Sequence, residues 1–195
     1  MKNFIIIFFV LAAVFGEIRP GPIENRSCSS IQLENATVNA YTIAGNYFGC
    51  VDSPNKPPEL KRCIRLNLAP RSSNTLDSTF FSASNTIGRS ELLSANATIE
   101  GPKIKVVYDP LYSTLPQITF TALESNSDYL ITLGCKDNIE DGWISYFART
   151  PELCSMYRNK LDEAIEKYGL ASIPLATVNH DNCGTYEVSV ESLNF

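Results

Sequence analysis

The stretch DYLITLGCKDNIEDGWISYFARTPEL, residues 128–153, decides the fold class. Two short apolar runs, 128–136 and 143–149, flank an acidic, glycine-containing turn at 137–142, a pattern typical of a β-hairpin. Thr150-Pro151 follows and predicts a helix start, because threonine can cap a helix and proline is tolerated in its first turn. Strands that lead into a single late helix favour an all-β domain over an alternating α/β fold.

The chain before this hairpin consists of further short strands, separated by turn residues such as glycine, proline and asparagine. Several of them alternate apolar and polar residues, as half-buried strands do. Regular spacing of short strands is typical of a sandwich or a barrel. We predict eight strands, at 41–51, 61–69, 78–84, 90–100, 103–109, 116–124, 128–136 and 143–149.

The segment after the eighth strand predicts one amphipathic helix that ends at Gly169, a favourable C-terminal stop. We expect its apolar face to pack on the outside of the β-domain, and a short strand to follow near 175–178. The apolar stripe comprises Leu153, Met156, Tyr157, Leu161, Ala164, Ile165 and Tyr168.

The N-terminus predicts secretion. Lys2 precedes an apolar run at 4–15, and the small residues Val14 and Gly16 fit cleavage after residue 16. Residues 1–16 are therefore predicted to be a signal peptide. The alternative is an uncleaved membrane anchor, which the short run disfavours because a membrane span needs about 20 apolar residues. The 195 residues are enough for one domain or two very small ones, and we predict that residues 17–195 form a single domain.

Composition limits the classes of partner that the protein can bind. The net charge of −5 argues against nucleic acid, which needs a basic face, and against anionic membranes. The six cysteines predict three disulfides in an oxidising compartment, and composition alone leaves all of the roughly 15 pairings open. Three sequons, at Asn25, Asn35 and Asn96, predict glycosylation on exposed loops or strand ends.

Little in the sequence predicts catalysis or a cofactor. The single histidine, His180, lies in a polar tail without the partners that a metal site or a catalytic triad needs, so we expect it to be solvated. The turn at 137–142 fails as a calcium loop because Ile139 takes a ligand position and Ala148 replaces the closing glutamate. We therefore expect no enzyme activity, no metal and no cofactor.

Three short motifs in this order of elements resemble the lipocalin family, in particular the branch of apolipoprotein D and the insect bilin-binding proteins. Ser127-Asp128-Tyr129 is similar to the family's Thr-Asp-Tyr motif, and Arg149 to the arginine that precedes the helix. Gly45-Asn46-Tyr47 resembles the family's Gly-x-Trp, with tyrosine in place of tryptophan. The resemblance implies an eight-stranded antiparallel up-and-down β-barrel with one C-terminal helix packed outside, and a barrel floor of Gly45, Tyr47 and Arg149.

The resemblance also implies cysteine pairs and a lumen. It pairs Cys28 with Cys135 and Cys63 with Cys183, which leaves Cys50 and Cys154 for a third bridge. It turns alternate residues of the last two strands inward, and these are the predicted ligand-binding residues, with simple filling of the barrel core as the alternative. They are Leu130, Thr132, Gly134, Trp143, Ser145 and Phe147.

Two functions remain open at this point. The first is a secreted carrier or scavenger that holds a small hydrophobic ligand, such as a lipid, pigment or odorant, in the barrel. The second is a secreted inhibitor or signalling antagonist that binds a protein through its loops, as salivary lipocalins of blood-feeding arthropods do. The fold alone does not choose between them.

Overall fold

The computed structural model describes residues 26–31, 33, 37–54, 61–84, 90–109, 117–135 and 137–183. The signal peptide predicted at 1–16 and the sequons at Asn25 and Asn35 lie outside these residues. Strands dominate the described part of the chain. They are β1 (Gly45–Asp52), β2 (Lys61–Pro70), β3 (Thr75–Ser84), β4 (Ser90–Glu100), β5 (Lys103–Tyr108), β6 (Ile118–Ser125), β7 (Tyr129–Gly134), β8 (Trp143–Ala148) and β9 (Ala176–Thr177).

Strands β1 to β8 form a closed up-and-down barrel, as predicted. Each pairs antiparallel with the next, and β8 returns to pair with β1, which also pairs with β2. The first half of β1 lies against β2, whereas Val51 and Asp52 at its other end pair with the short β9. We call the end at which β1, β3, β5 and β7 finish the upper end, and the opposite end the lower end.

Side chains alternate between the two faces of the barrel wall, as the pleat of a strand requires. An inner cluster lies inside the barrel and includes Tyr47, Leu68, Leu76 and Phe147. An outer cluster lies between β7, β8 and the helices, and includes Ile131, Leu133, Ile144, Tyr146 and Leu161. The domain therefore has two apolar layers, one inside the barrel and one beneath the helices.

The first strand begins at Gly45 rather than at residue 41 as expected. Ala40 and Ile43 are buried in the inner cluster, and the backbone at 40–42 forms a turn. The amide of Ala40 donates to the carbonyl of Ser73, and that of Val38 donates to Gly101. Residues 38–43, the floor segment, thus leave the strand direction and cross the lower end of the barrel.

The helical region was predicted as one helix and is two, α1 (Pro151–Met156) and α2 (Arg158–Tyr168). Tyr157 interrupts them, with φ −104° and ψ 17°. Its ring packs on Tyr129 with centroids 4.9 Å apart, and its hydroxyl donates to Asp128 Oδ2 at 3.0 Å. These tertiary contacts stabilise the break between the two helices at Tyr157.

The break also changes which helical residues are buried. Met156 was expected in the buried stripe but is 65 % exposed, whereas Leu161 and Ala164 are buried as predicted. Thr150 occupies the N-cap position, yet its side chain makes no capping hydrogen bond. Gly169 ends α2 in the left-handed region with φ 62°, as expected.

Three disulfides use all six cysteines. Cys28–Cys135 ties the segment before the barrel to the end of β7, and Cys50–Cys154 ties β1 to α1. Cys63–Cys183 ties β2 to the tail segment, residues 176–183. Cys28–Cys135 and Cys63–Cys183 are the pairs that the resemblance implies, and Cys50–Cys154 is the pair that remained. Within the described ranges, no helix is long and apolar enough to cross a membrane.

Candidate functional site: the barrel lumen

The six predicted ligand-binding residues lie on one face of β7 and β8. This face is the inside of the barrel, because its lowest members belong to the inner cluster while the residues between them belong to the outer cluster. Across the β7–β8 ladder they form three facing pairs, which are, from the lower end upward, Leu130 with Phe147, Thr132 with Ser145, and Gly134 with Trp143.

A polar row crosses this wall at the middle level. Thr132 faces Ser145 on one side, and Asp52 of β1 faces Ser145 on the other. All three are buried, and Ser145 Oγ donates to Asp52 Oδ1 at 2.6 Å. A hydrogen bond to a buried carboxylate is stronger than one between neutral groups. The row places hydrogen-bonding groups within an otherwise apolar lumen, and sequence reasoning had not selected Asp52.

The uppermost pair holds an indole against the wall. A Cβ at Gly134 would overlap Cε2, Cζ2 and Nε1 of Trp143, so the indole occupies the space that glycine leaves on the inner side. The ring also makes an edge contact with Phe120 of β6, with centroids 6.2 Å apart and an interplanar angle of 84°. Trp143 is therefore fixed at the inner surface near the upper end.

Several inward-facing apolar side chains are only partly buried. Leu66 lies between Ile64 and Leu68 on the inner face of β2; its two neighbours are buried, but Leu66 is not. The same holds on other strands, where Phe80 and Phe120 pack against the inner cluster and remain partly exposed. A side chain that faces the interior of a closed barrel and still meets solvent borders unfilled space. The small inward residues Ala95, Ala97 and Ala122 add to that space.

The lower end of the lumen is closed by the floor segment and by Tyr47. Tyr47 is fully buried, and its hydroxyl donates to the carbonyl of Ile43 at 3.0 Å. The guanidinium carbon of Arg149 lies 3.9 Å from the centre of the Tyr47 ring, a cation–π contact. Gly45, with φ 114°, lets Arg149 approach, because a Cβ there would lie 2.6 Å from Nη1. The three residues predicted for the floor are thus brought together.

The environment of Tyr47 favours its neutral phenol. Burial raises the pKa of Tyr47 to about 12, since a phenolate would lose its hydration, and the cation of Arg149 opposes this only in part. The hydroxyl therefore remains a hydrogen-bond donor to the floor segment throughout the neutral range.

The tail segment closes the seam where β1 leaves β2. The amide of Val178 donates to Cys50, and the amide of Cys63 donates to Asn179. Val178 itself lies in the inner cluster, 5 % exposed. The tail segment therefore contributes to the barrel wall, a role that the short strand expected near 175–178 only partly anticipates.

His180 belongs to this seam and is not the solvated tail residue that we expected. Its Nε2 lies 2.6 Å from the carbonyl oxygen of Gly49, and its Nδ1 lies 2.9 Å from Nη1 of Arg65. Arginine can only donate, so Nδ1 accepts and Nε2 carries the proton. Burial lowers the pKa of His180, with Arg65 adding to the effect, while the hydrogen bond to Gly49 and the nearby Asp181 oppose it.

The turn between β7 and β8 behaves as a structural turn. Residues Ile139–Asp141 form one turn of 3₁₀-helix, in which Ile139 is fully buried. In the part of the chain that the structure describes, no group of three His, Cys, Asp or Glu side chains is arranged to hold a metal ion.

Asn96, the one sequon residue among those described, lies within β4 rather than on a loop or strand end as expected. Its neighbours across the ladders are Asp77 and Val107, and Asn96 is exposed on the outer face. A glycan at this position is sterically compatible with the lumen because it points away from it. Glycosylation itself stays a prediction.

A closed eight-stranded barrel with an accessible lumen, a floor segment and an outer helix has the lipocalin fold. Comparison with solved structures supports this assignment. Insecticyanin from the tobacco hornworm Manduca sexta superimposes with a TM-score of 0.62 at 10 % identity, covering 78 % of this chain and 86 % of that one. Lobster apocrustacyanin A1 gives 0.58 at 14 % identity, covering 82 % and 93 %.

A third similar structure is the tryptamine complex of the amine binding protein of Rhodnius prolixus, with a TM-score of 0.56 at 13 % identity. It covers 76 % of this chain and 85 % of that chain. No protein-family model and no curated protein matches the sequence. At these identities the neighbours establish the fold and do not single out the apolipoprotein D branch.

Proposed function

We propose that the protein is a secreted carrier or scavenger that binds one small hydrophobic ligand in the barrel lumen. The observation that carries the proposal is the partial exposure of inward apolar side chains such as Leu66 and Phe120. The proposed binding residues are the six inward residues of β7 and β8. The similar fold of an amine binding protein supports the view that such a barrel can hold a small organic molecule.

The mechanism is burial of apolar ligand surface. Each Å² of apolar surface removed from water stabilises the complex by about 25 cal/mol, before the costs of association. Phe120, Phe147 and Trp143 supply aromatic contacts, and the row of Thr132, Ser145 and Asp52 can orient a polar end. We propose no reaction, because this arrangement binds and orients without an evident nucleophile–base pair.

Secretion is part of the proposal. Three disulfides are typical of proteins that fold in an oxidising compartment. The apolar N-terminal run supports export, and the exposed Asn96 is available to a glycosyltransferase. Anionic membranes and nucleic acid are not proposed as partners, given the net charge of −5.

The test is native mass spectrometry of the protein secreted from a eukaryotic host, followed by organic extraction of anything bound. A stoichiometric small molecule supports the carrier. A matched pair of variants locates it, since Val106 faces inward and is 7 % exposed while Val107 faces outward and is 50 % exposed. We expect Val106→Phe to abolish retention of the ligand and Val107→Phe to leave it unchanged.

A clean apo mass, with no uptake from fatty acids, retinoids, sterols, tetrapyrroles and amines, contradicts the carrier and favours the protein-binding alternative. That alternative assigns binding to the loops rather than to the lumen.

A further inference from the structure

Two polar atoms on the inner wall are buried without a hydrogen-bond partner among the described residues. They are Nε1 of Trp143 and Oγ of Ser82. Trp143 is 8 % exposed and Ser82 is fully buried. Buried polar groups in folded proteins are nearly always hydrogen-bonded, so each exception calls for a specific explanation.

Both atoms belong to the lumen rather than to the outer layer. Nε1 of Trp143 lies where a Cβ of Gly134 would project, which is the inner side of β7. Ser82 shares the inner face of β3 with Leu76 and Phe80, both of which pack in the inner cluster. Each side chain lies near the end of its strand that faces the upper opening.

The indole cannot turn away to find a partner elsewhere. Its ring is confined between the backbone of Gly134 and the ring of Phe120. The indole N–H is a donor only and cannot be satisfied by another donor. The missing partner must therefore be an acceptor, and Phe120 beside it offers a surface for an apolar group.

We propose that the ligand is an apolar molecule with a hydrogen-bond-accepting oxygen, such as a carbonyl, that accepts from Nε1 of Trp143. Its apolar body lies against Phe120, and the hydroxyl of Ser82 provides a second hydrogen-bonding point on another wall. Both polar atoms are covered in the unliganded barrel, so ligand binding has to move the side chains that cover them. The inference rests on the proposed carrier function and narrows the ligand to a chemical class. We expect the site to bind an aromatic or aliphatic ketone more tightly than a hydrocarbon of the same shape.

The experiment compares two probes of nearly identical shape, 2-acetylnaphthalene and 2-isopropenylnaphthalene, in which a methylene group replaces the carbonyl oxygen. Affinities are measured by displacement of N-phenyl-1-naphthylamine from the wild type and from Trp143→Phe. We expect the wild type to prefer the ketone about tenfold, the usual scale for one hydrogen bond, and the variant to lose this preference. Phe120→Leu, which removes a ring but no donor, should weaken both probes equally.

A second measurement needs no variant of the indole. Trp143 is the only tryptophan in the chain, so its indole N–H gives a single peak in a ¹H–¹⁵N spectrum. We expect the ketone to move this proton downfield, as hydrogen bonding does, and the alkene to leave it near its free position. The hydrogen-bonded state is thereby detected even if Trp143→Phe fails to fold.

The outcomes separate the two proposals. If both probes bind equally and the indole proton does not respond to the ketone, the inference is overturned while the carrier function stands. If neither probe binds but the barrel retains other small molecules, the inference is again overturned. If no small molecule displaces N-phenyl-1-naphthylamine and none is retained in the lumen, the carrier function fails as well.

Discussion

Arg149 and Tyr47 form the contact that joins the two ends of the barrel wall. The guanidinium of Arg149, just after β8, lies 3.9 Å above the ring of Tyr47 on β1. Arg149 Nε also donates to the carbonyl of Ser127 at 2.7 Å, so one side chain links β1, β8 and the turn before β7. The tyrosine takes the place of the tryptophan in the Gly-x-Trp motif that the sequence resembles, and it stacks with Arg149.

Replacement of Arg149 by lysine should therefore destabilise the fold. Lysine keeps the charge but lacks the planar guanidinium that stacks on Tyr47 while donating to Ser127. We expect a loss of about 1–3 kcal/mol in the free energy of unfolding, measured by urea denaturation. Arg158→Lys is the control, because Arg158 forms an exposed pair with Asp162. Equal effects of the two substitutions would contradict the assigned role.

The raised pKa of Tyr47 predicts that the fold loses stability at alkaline pH. Its folded pKa, raised to about 12 by burial, exceeds the unfolded value near 10. The stabilisation is fully present below pH ~10 and is lost as the pH rises toward 12, because the unfolded phenol releases its proton first. Tyr47→Phe should be less stable at pH 7 by about 1 kcal/mol, through loss of the bond to Ile43.

The same variant should lose less stability than the wild type between pH 10 and 12. The measurement is the free energy of unfolding at several pH values. Burial also raises the pKa of Tyr146 to about 12, so the variant is expected to retain part of the alkaline slope. Parallel slopes in the two proteins would count against a buried Tyr47 phenol.

The elements that periodicity defines were predictable from the sequence, and those that long-range packing defines were not. The two apolar runs at 128–136 and 143–149, separated by a turn, predicted β7 and β8, whereas the family resemblance implied which of their residues face inward. The break at Tyr157 left no local signal, since it depends on contacts with Tyr129 and Asp128. A continuous apolar stripe could not reveal it.

The positions of Asp52 and His180 were missed for a related reason. Asp52 lies at the end of β1 beyond a bulge between Gly49 and Val51, which changes the face on which later side chains lie. Simple alternation from Tyr47 would place Asp52 outside. Similarly, His180 looked solvated because its neighbours in sequence are polar, whereas its contacts come from β1 and β2.

Gly134→Ala tests the fixed position of Trp143. The added methyl would overlap the indole and force it off the wall. We expect a destabilisation of about 1–3 kcal/mol and a red shift in the emission of this single tryptophan. Gly101→Ala is the control, because Gly101 has φ 61° but nothing within 4 Å. Gly101→Ala should be destabilised by its strained backbone without any change in tryptophan emission. An unchanged emission spectrum in Gly134→Ala would refute the overlap.

The Cys50–Cys154 disulfide should stabilise the fold independently of the tail segment. Its cysteines are 104 residues apart, and removal of both by alanine substitution should cost about 2–4 kcal/mol in guanidinium denaturation. Removal of Cys63–Cys183, with a separation of 120, should cost a similar amount and also loosen the tail segment. Only the second pair of substitutions should move the pKa of His180 back toward its usual value.

His180 should make the seam between β1 and β2 sensitive to mild acid. Its folded pKa lies below the unfolded value of about 6.5, chiefly because of burial. The neutral ring is therefore favoured in the folded state, and its stabilisation is present above pH ~6.5. It is lost as the pH falls through the folded pKa, because the unfolded state takes up the proton first. Protonation would also end acceptance of the hydrogen bond from Arg65.

The chain has one histidine, so its Cε1 proton gives one titrating resonance. We expect a midpoint below 6.5 in the wild type and a higher one in Arg65→Gln, which removes the facing cation. Carboxylates also titrate in acid, so stability is compared between the wild type and His180→Gln from pH 7.5 to 5. The wild type should lose more stability over this range. A midpoint at or above 6.5 would mean that His180 is solvated and that the seam is held by the Cys63–Cys183 disulfide and the backbone hydrogen bonds of Cys63 and Val178 alone.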